Sequence, residues 1–146
     1  MIAVDTNILV YAYTVPCDFN ARAILALKDL IGRGQPWAIP WPCAHEFISV
    51  MSNPRVQRIA ASSDHVIDML TVLVRESNAR CIGESVSHFR TLRKLVSAGA
   101  IRGAMVHDAR VAAICLDHGV QELWTADRDF SRFPRLKTRN PLVVSA

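Results

Sequence analysis

The chain begins Met1-Ile2-Ala3-Val4-Asp5-Thr6-Asn7, four apolar residues followed directly by three polar ones. A short apolar run of this kind predicts a strand that is buried on both faces of a parallel sheet. Thr6 and Asn7 can turn the chain and cap the element that follows. Because ligands bind beyond the carboxyl ends of parallel strands, Asp5 lies where such a fold places a functional site.

Downstream of this stretch, segments with helical periodicity alternate with short apolar runs. The predicted helices cover residues 21–31, 42–51, 62–77, 85–96 and 105–116. Further strands are predicted at 37–39, 80–82 and 122–125, with an edge strand in the tail at 141–144. This alternation predicts an α/β domain whose central sheet is mainly parallel.

Length and composition exclude several classes of protein. The 146 residues are enough for one domain with a sizeable core, and 51% hydrophobic against 21% charged residues argues against extensive disorder. No apolar run reaches 18 residues, and the start is a poor secretory signal, so neither a membrane span nor export is expected. Four cysteines without a CxxC pair argue against a zinc ribbon and predict reduced thiols in the cytoplasm.

Three further acidic residues occupy positions where a charged side chain is energetically unfavourable unless it has a partner. Glu46 and Asp108 share predicted helix faces with apolar residues, and Asp127 lies just past the strand at 122–125. Carboxylates on core-facing stripes must be paired, hydrogen-bonded or bound to a cation. Four converging carboxylates would repel one another, and a divalent cation removes that repulsion. Oxygen ligands favour Mg²⁺ or Mn²⁺ over Zn²⁺.

Each acid also has an ordinary structural interpretation when it is taken alone. These are a turn residue (Asp5), an ion-pair partner of Arg55 or Arg58 (Glu46), a helix cap or first-turn acid (Asp108) and a polar turn (Asp127 with Asp129). No single position decides between structure and function. The hypothesis of a metal site therefore depends on the ordered set of four acids.

Four segments of the chain resemble the motifs of PIN-domain ribonucleases. They are Asp5-Thr6-Asn7 after the first strand, His45-Glu46-Phe47 on the helix after the second strand, His107-Asp108-Ala109-Arg110, and the T-x-D-x-D-F pattern within Leu123-Trp124-Thr125-Ala126-Asp127-Arg128-Asp129-Phe130. The segments occur in the family's order and span nearly the whole chain. Within the family, the chain is most similar to the VapC toxins of type II toxin–antitoxin systems.

The resemblance implies a single PIN domain over residues 1–146, an α/β/α sandwich, and a Mg²⁺-dependent endoribonuclease in which metal-activated water cleaves RNA. Mn²⁺ is the alternative cofactor. The implied catalytic metal ligands are Asp5, Glu46, Asp108 and Asp127. Asn7 and Thr125 map to polar positions that orient ligands, and Asp129 is a supporting or alternative ligand.

The resemblance also implies a homodimer and a cognate VapB-like antitoxin that inhibits the toxin. The net charge of +4 would allow an RNA substrate, because 17 basic residues remain against 9 acidic ones outside the four implied ligands. Candidate RNA contacts are Arg128, Arg132 and Arg135, with a second basic stretch at Arg90, Arg93, Lys94 and Arg102. His45 and His107 are expected to face away from the acids, since neighbours on a helix point about 100° apart.

Two other functions remain open at this point. A haloacid-dehalogenase-like phosphatase also begins with an acid at the end of a strand, but it needs a second Asp where this chain has Asn7. A PIN-like module that binds RNA or a protein without cleaving it is the second alternative. The presence of all four acids argues against such a module.

Overall fold

A five-stranded parallel sheet, flanked by six α-helices, forms the centre of residues 1–143, the part of the chain that the computed structural model describes. The strands are β1 (Ile2–Val4), β2 (Trp37–Pro40), β3 (Ala79–Ile82), β4 (Glu122–Trp124) and β5 (Thr138–Arg139). Their order across the sheet is β3-β2-β1-β4-β5. The helices are α1 (Thr6–Tyr13), α2 (Asn20–Gly32), α3 (Trp41–Met51), α4 (Ser63–Glu76), α5 (His88–Gly99) and α6 (Val106–Asp117).

The first strand lies in the middle of the sheet, and the order of the chain reverses on either side of it. Ala3 of β1 pairs with Ala38 of β2, and Val4 pairs with Trp124 of β4. The backbone N–H of Asp5 continues the second pairing, because it donates to the Trp124 carbonyl at 3.0 Å. A crevice forms at such a switch point, beyond the carboxyl ends of the strands. The fold therefore places Asp5 and the residues after β4 at one crevice.

The core lies between the sheet and the helices that flank it. Its largest fully buried side chains are Trp37, Phe47, Trp124 and Phe133. The indole N–H of Trp37 donates to the Ser77 carbonyl at 2.8 Å, so the buried polar atom has a partner. Phe47 is fully buried on α3, so burial of this ring ties that helix to the core.

The predicted alternation of helices and parallel strands is confirmed, but the element after β1 differs from the prediction. Helix α1 begins at Thr6, where the sequence predicted a turn and a cap. The N-cap is Asp5, whose Oδ1 accepts from the Thr6 backbone N–H at 2.7 Å. The eight-residue helix is apolar along most of its length, so periodicity does not separate it from the strand before it.

Helix α5 begins at His88, three residues later than predicted. The Ser85 hydroxyl donates to Asp117 Oδ2 at 2.6 Å and accepts from the Ser87 backbone N–H at 3.1 Å. These bonds hold residues 85–87 outside the helix. At its other end the helix runs through Gly99 and stops at Ala100, whose φ of 48° is left-handed.

The last strand also differs from the prediction. It is Thr138–Arg139, whereas the predicted edge strand was 141–144, of which residue 144 lies outside the described residues. Residues 141–143 instead form a turn and bend, in which the Leu142 N–H donates to Asn140 Oδ1 at 3.0 Å. Leu142 is buried in the core, so the apolar character of the tail reflects packing rather than a strand.

Two expectations from composition concern the membrane and the cysteines. Across residues 1–143, no helix has both the length and the apolarity needed to cross a membrane. All four cysteines lie in this range and carry free thiols, and Cys43 and Cys115 are buried. This is the predicted state of scattered cysteines, which then pack as small apolar side chains.

Candidate active site

A cleft of about 550 Å³ lies at the carboxyl ends of β1 and β4. All four predicted ligands line it, and each comes from a different part of the fold. Asp5 follows β1, Glu46 lies on α3, Asp108 lies in the first turn of α6, and Asp127 follows β4. The structure therefore brings together the acids that the sequence spreads along nearly the whole chain.

Asp5 is buried at the base of this site and accepts hydrogen bonds at both carboxylate oxygens. Oδ1 accepts from the Thr6 N–H at 2.7 Å and from Cys43 Sγ at 3.4 Å. Oδ2 accepts from the hydroxyl of Thr125 at 2.6 Å and from Asn7 Nδ2 at 2.8 Å. Burial raises the pKa of Asp5, and the hydrogen bonds from Thr125 and Thr6 act in the opposite direction. Four donors thus fix the orientation of this carboxylate.

Asn7 and Thr125 connect Asp5 to the segment that carries Asp127. Asn7 Nδ2 donates to the Thr125 hydroxyl at 3.2 Å, and Asn7 Oδ1 accepts from the Ala126 N–H at 3.0 Å. The Thr125 hydroxyl oxygen in turn accepts from the Asp127 N–H at 3.0 Å. Both residues that the sequence indicated as orienting positions therefore contact Asp5 and fix the chain next to Asp127.

Thr6 is a polar contact of the site that sequence analysis missed. Its hydroxyl donates to Glu46 Oε2 at 2.7 Å, and Thr6 itself is 5% exposed. The same hydroxyl lies 3.3 Å from the Cys43 carbonyl oxygen. The contact depends on the packing of α1 against α3, which local patterns in the sequence do not reveal. Thr6 thereby links the segment of Asp5 to the second acid.

Replacement of Thr6 tests this link. Because Thr6 holds Glu46, which the resemblance to PIN-domain ribonucleases implies is a metal ligand, we expect Thr6→Val to lower RNA cleavage by roughly 10–100-fold. Thr6→Ser keeps the hydroxyl and should retain most activity. The measurement is the cleavage rate as a function of Mg²⁺ concentration. The matched control is Thr71→Val, since the exposed Thr71 hydroxyl bonds only the Ile67 carbonyl among residues 1–143. Equal rates for Thr6→Val and Thr71→Val would contradict the role of Thr6.

Asp108, Asp127 and Asp129 form a compact acidic group at the rim of the cleft. Each offers a carboxylate oxygen that lies within 4.8 Å of the oxygens offered by the other two. Burial, followed by the negative charges of Asp127, Asp5, Asp129 and Glu46, raises the pKa of Asp108 to about 6. The carboxylates therefore repel one another, and the cleft favours a bound cation.

The ordinary structural interpretations hold for some of these acids and not for others. Asp5 caps α1, and Asp127 Oδ1 caps the 3-10 helix Arg128–Arg132 by accepting from the Asp129 N–H at 2.8 Å. Asp108 is a first-turn acid of α6, although it is not the N-cap. Glu46 does not pair with an arginine. The ion pairs within residues 1–143 are Arg33–Asp29, Arg75–Glu76, Arg110–Glu84 and Lys137–Glu122.

The expected orientation of two histidines is wrong. Both His45 and His107 are exposed and line the cleft beside Glu46 and Asp108, although neighbours on a helix point about 100° apart. The cleft is wide enough to take in adjacent residues of α3 and α6, so the angular argument does not separate them. The two imidazoles therefore lie at the rim of the site.

The basic residues proposed from the sequence are exposed. Arg128, Arg132 and Arg135 follow directly after Asp127, and Arg90, Arg93, Lys94 and Arg102 lie on or just after α5. An aromatic side chain must be exposed to stack on an RNA base. Phe133 is 1% exposed and cannot do so, whereas Trp41 is 47% exposed. The structure thus leaves these positive charges accessible at the surface.

Comparison with known proteins gives the same assignment as the geometry. The sequence profile of the PIN domain matches residues 2–136. Ribonuclease VapC43 of Mycobacterium tuberculosis is 31% identical over 142 residues, which cover 97% of this chain and 96% of the relative.

Two solved structures have a similar fold. VapBC2 from Rickettsia felis, bound to a DNA fragment from its promoter, has a TM-score of 0.69 at 21% identity and covers 96% of this chain and 98% of its own. A toxin–antitoxin complex from Klebsiella pneumoniae has a TM-score of 0.62 at 19% identity, and the match covers 97% of this chain and 98% of the matched chain. The sequence matches and the shared fold lead to one conclusion: the chain belongs to the PIN-domain family and, within it, to the VapC ribonucleases.

Proposed function

We propose that this chain is a Mg²⁺-dependent endoribonuclease and the toxin of a toxin–antitoxin pair, with residues 1–146 forming one PIN domain. The observation that carries the proposal is the convergence of Asp5, Glu46, Asp108 and Asp127 on one cleft. Membership of the VapC ribonucleases supports the reaction. It also removes the basis for the phosphatase alternative.

The residues of the cleft fit a hard divalent cation. Every acidic donor is a carboxylate oxygen, which suits Mg²⁺ or Mn²⁺. Among residues 1–143, no Lys or Arg forms an ion pair with the acids of the cleft. Burial first, and then the neighbouring carboxylates, raise the pKa of Asp108, so the ionised form of this side chain is disfavoured without a cation. We infer that Asp5, Glu46, Asp108 and Asp127 hold the cation and that Asp129 is positioned as an alternative ligand.

When bound, a divalent cation supplies activated water and offsets the negative charge that develops on a phosphodiester during hydrolysis. The chain's own residues provide the positions for this chemistry. Asp5 is held by donors on both oxygens, so its orientation is set before substrate binds. The Thr6 hydroxyl holds one oxygen of Glu46. His45 and His107 lie at the rim. There each imidazole can donate a proton to a substrate oxygen or accept one from it.

The proposed substrate is RNA, bound through its phosphates. Arg128, Arg132 and Arg135 are exposed beside Asp127 and supply positive charge next to the acids. Contacts of this type position a nucleic acid without reading its sequence. The net charge of the chain is +4. Because several of its acids are gathered in the cleft, the rest of the surface is more basic than this net charge suggests.

We also propose a VapB-like antitoxin, a homodimeric toxin and a cytoplasmic location. The support for an antitoxin is the VapC family and the fold shared with a toxin–antitoxin complex from Klebsiella pneumoniae. An antitoxin that presents a Lys or Arg to the cleft would neutralise the acids in place of a metal. Four free thiols are compatible with a reducing compartment.

The experiment that tests the proposal is cleavage of total RNA and of tRNA by the purified chain, free of antitoxin. We expect discrete cuts in Mg²⁺ or Mn²⁺ and none after EDTA treatment. Size-exclusion chromatography with light scattering tests the dimer separately. If RNA is bound tightly but never cut with any divalent metal, the non-cleaving module replaces the nuclease as the function.

The raised pKa of Asp108 predicts how activity depends on pH. The proton and the cation compete for this carboxylate, so cleavage at limiting Mg²⁺ should fall as pH decreases through about 6. An ordinary aspartate would lose its charge nearer pH 4. Raising the Mg²⁺ concentration should move the midpoint of the profile to lower pH. A rate that is constant from about pH 7 to about pH 5 at limiting Mg²⁺ would contradict the prediction.

The same shift has a consequence for folding stability without metal. Because the folded-state pKa lies above the unfolded value, the protonated form is favoured by the fold. The contribution of Asp108 to stability is therefore most favourable below pH 4, declines as pH rises through about 6, and stays constant above that. Thermal unfolding in EDTA across this range measures the effect, and Asp108→Asn should remove it.

A further inference from the structure

Arg110 is the one Lys or Arg among the described residues that line the acidic cleft. It lies on α6, two residues after Asp108, and its long side chain reaches the cleft from a different helix face. The basic residues Arg128, Arg132 and Arg135 lie outside the lining. Among the described residues, Arg110 is therefore the permanent positive charge in the lining of the cleft where a phosphodiester must bind.

A single carboxylate fixes the orientation of Arg110. Its Nε donates to Glu84 Oε1, and the two Nη groups form no hydrogen bond with any residue of the range 1–143. The side chains of Arg110 and Glu84 are 39% and 38% exposed, so the pair is open to solvent. A guanidinium held through Nε keeps its paired Nη groups free, and these match two oxygens of a phosphate.

Glu84 itself is held in place from both sides. The Gly83 carbonyl oxygen lies 2.8 Å from His118 Nε2, and the Ser85 hydroxyl donates to Asp117 at 2.6 Å. Arg110, Asp117 and His118 all belong to α6 or its C-cap, so contacts with α6 hold residues 83–85 along its length. The chain on either side of Glu84 is thus held against α6, which places the Glu84 carboxylate where Arg110 Nε can donate to it.

Stability is a weak explanation for this arrangement. Solvent-exposed ion pairs contribute roughly 0–1 kcal/mol, so an isolated Arg–Glu pair at the mouth of a cleft adds little to folding. Fixed orientation matters more for binding, because a positioned side chain loses less conformational freedom when its ligand binds. A positive group at the edge of an acidic site also draws in a polyanion that the carboxylates alone would repel.

We propose that the Arg110 guanidinium, oriented through Nε by Glu84, binds a backbone phosphate of the RNA strand at the edge of the acidic cleft. Arg110 is then a substrate-binding residue, and Glu84 is a positioning residue that acts through it. The inference rests on the proposed function, because it takes the substrate to be RNA. It adds a phosphate subsite to the set of metal ligands.

Full-length variants test the subsite by two measurements, the steady-state kinetics of RNA cleavage in Mg²⁺ and the Kd for a fluorescein-labelled single-stranded RNA. We expect Arg110→Ala to raise both KM and Kd about tenfold, with a smaller change in kcat. Arg110→Lys should recover part of the loss, because it restores the charge without the planar pair of donors. The dependence of log Kd on log salt should become shallower by about one phosphate contact.

The matched control is Arg75→Ala, which removes an exposed arginine that pairs with Glu76 and lies outside the lining of the cleft. Glu84→Gln should raise KM less than Arg110→Ala does, and should have no effect in an Arg110→Ala background. KM and Kd values for Arg110→Ala within twofold of Arg75→Ala would overturn the inference. So would a lower unfolding temperature with unchanged Kd, which indicates a purely structural pair.

The two proposals fail in different ways. If the wild-type chain cuts no RNA in any divalent metal, the proposed function fails. The Kd comparison between Arg110→Ala and Arg75→Ala then still decides the phosphate subsite. If the wild type cuts RNA and Arg110→Ala does so with an unchanged KM and Kd, the function stands and the subsite is wrong.

Discussion

Asp108→Asn is expected to lower RNA cleavage by at least about 10²–10³-fold, because the proposed metal site loses one of its carboxylates and several kcal/mol of charge stabilisation with it. The substitution keeps the shape of the side chain and removes only its charge. Asp108 makes no side-chain hydrogen bond within residues 1–143, so no structural contact is lost with it. The measurement is the single-turnover cleavage rate at saturating Mg²⁺.

The same variant should be more stable than the wild type when metal is absent. The negative charges of Asp127, Asp5, Asp129 and Glu46 disfavour an ionised Asp108, and its neutral replacement relieves that repulsion. We expect the unfolding temperature in EDTA to rise by a few degrees at neutral pH. Asp64→Asn is the matched control, since Asp64 is also a first-turn acid of a helix but lies outside the cleft. Cleavage by Asp108→Asn at the rate of Asp64→Asn would exclude this acid from the site.

Asp5→Asn is expected to differ from Asp108→Asn in stability although both lose activity. Both oxygens of Asp5 accept hydrogen bonds, from Thr6 and Cys43 on one side and from Asn7 and Thr125 on the other. The amide NH₂ of asparagine would face donors wherever it is placed. This variant should therefore unfold at a lower temperature, whereas Asp108→Asn unfolds at a higher one.

Phe47→Ala is expected to destabilise the fold by about 3–5 kcal/mol, the usual cost of deleting a large aromatic side chain from a core. Phe47 has no exposed surface and contacts Tyr13 edge-to-face at a centroid distance of 5.6 Å. Because a chain of this size loses roughly 3 °C per kcal/mol, the unfolding temperature should fall by roughly 10 °C or more. Denaturant unfolding followed by circular dichroism measures the change.

Phe89→Ala is the control for this prediction, since Phe89 is 85% exposed at the start of α5. This substitution should change the free energy of unfolding by less than about 0.5 kcal/mol. Glu46 lies on the same helix as Phe47. We therefore expect Phe47→Ala to lose cleavage activity at temperatures below its own unfolding midpoint. Wild-type stability in Phe47→Ala would mean that α3 is not anchored by this ring.

The sequence was sufficient to predict the alternation of elements, the parallel sheet and the four acids that line the cleft. The reason is that strands buried on both faces, such as β1 and β2, appear as short apolar runs next to turn residues. An acid at the end of such a run is conspicuous. Asp5 and Asp127 were therefore recognisable before their partners in space were known.

The features that the sequence did not reveal depend on tertiary contacts. Strand β5 consists of exposed polar residues, and its pairing with β4 rather than its composition makes it a strand. The hydrogen bond from Thr6 to Glu46 and the orientation of His45 and His107 require the packing of separate helices around the cleft. Local periodicity carries no information about such contacts.

The pairing of β1 with β4 has a consequence for the timing of synthesis. Ile2 pairs with Glu122 and Val4 with Trp124, so the two central strands are separated by almost the whole chain. Contacts between such distant segments form slowly, and they cannot form at all until the second strand has left the ribosome. Asp127 and Thr125 complete the surroundings of Asp5 only at that stage. A growing chain that has not yet extended past β4 therefore lacks the complete cleft.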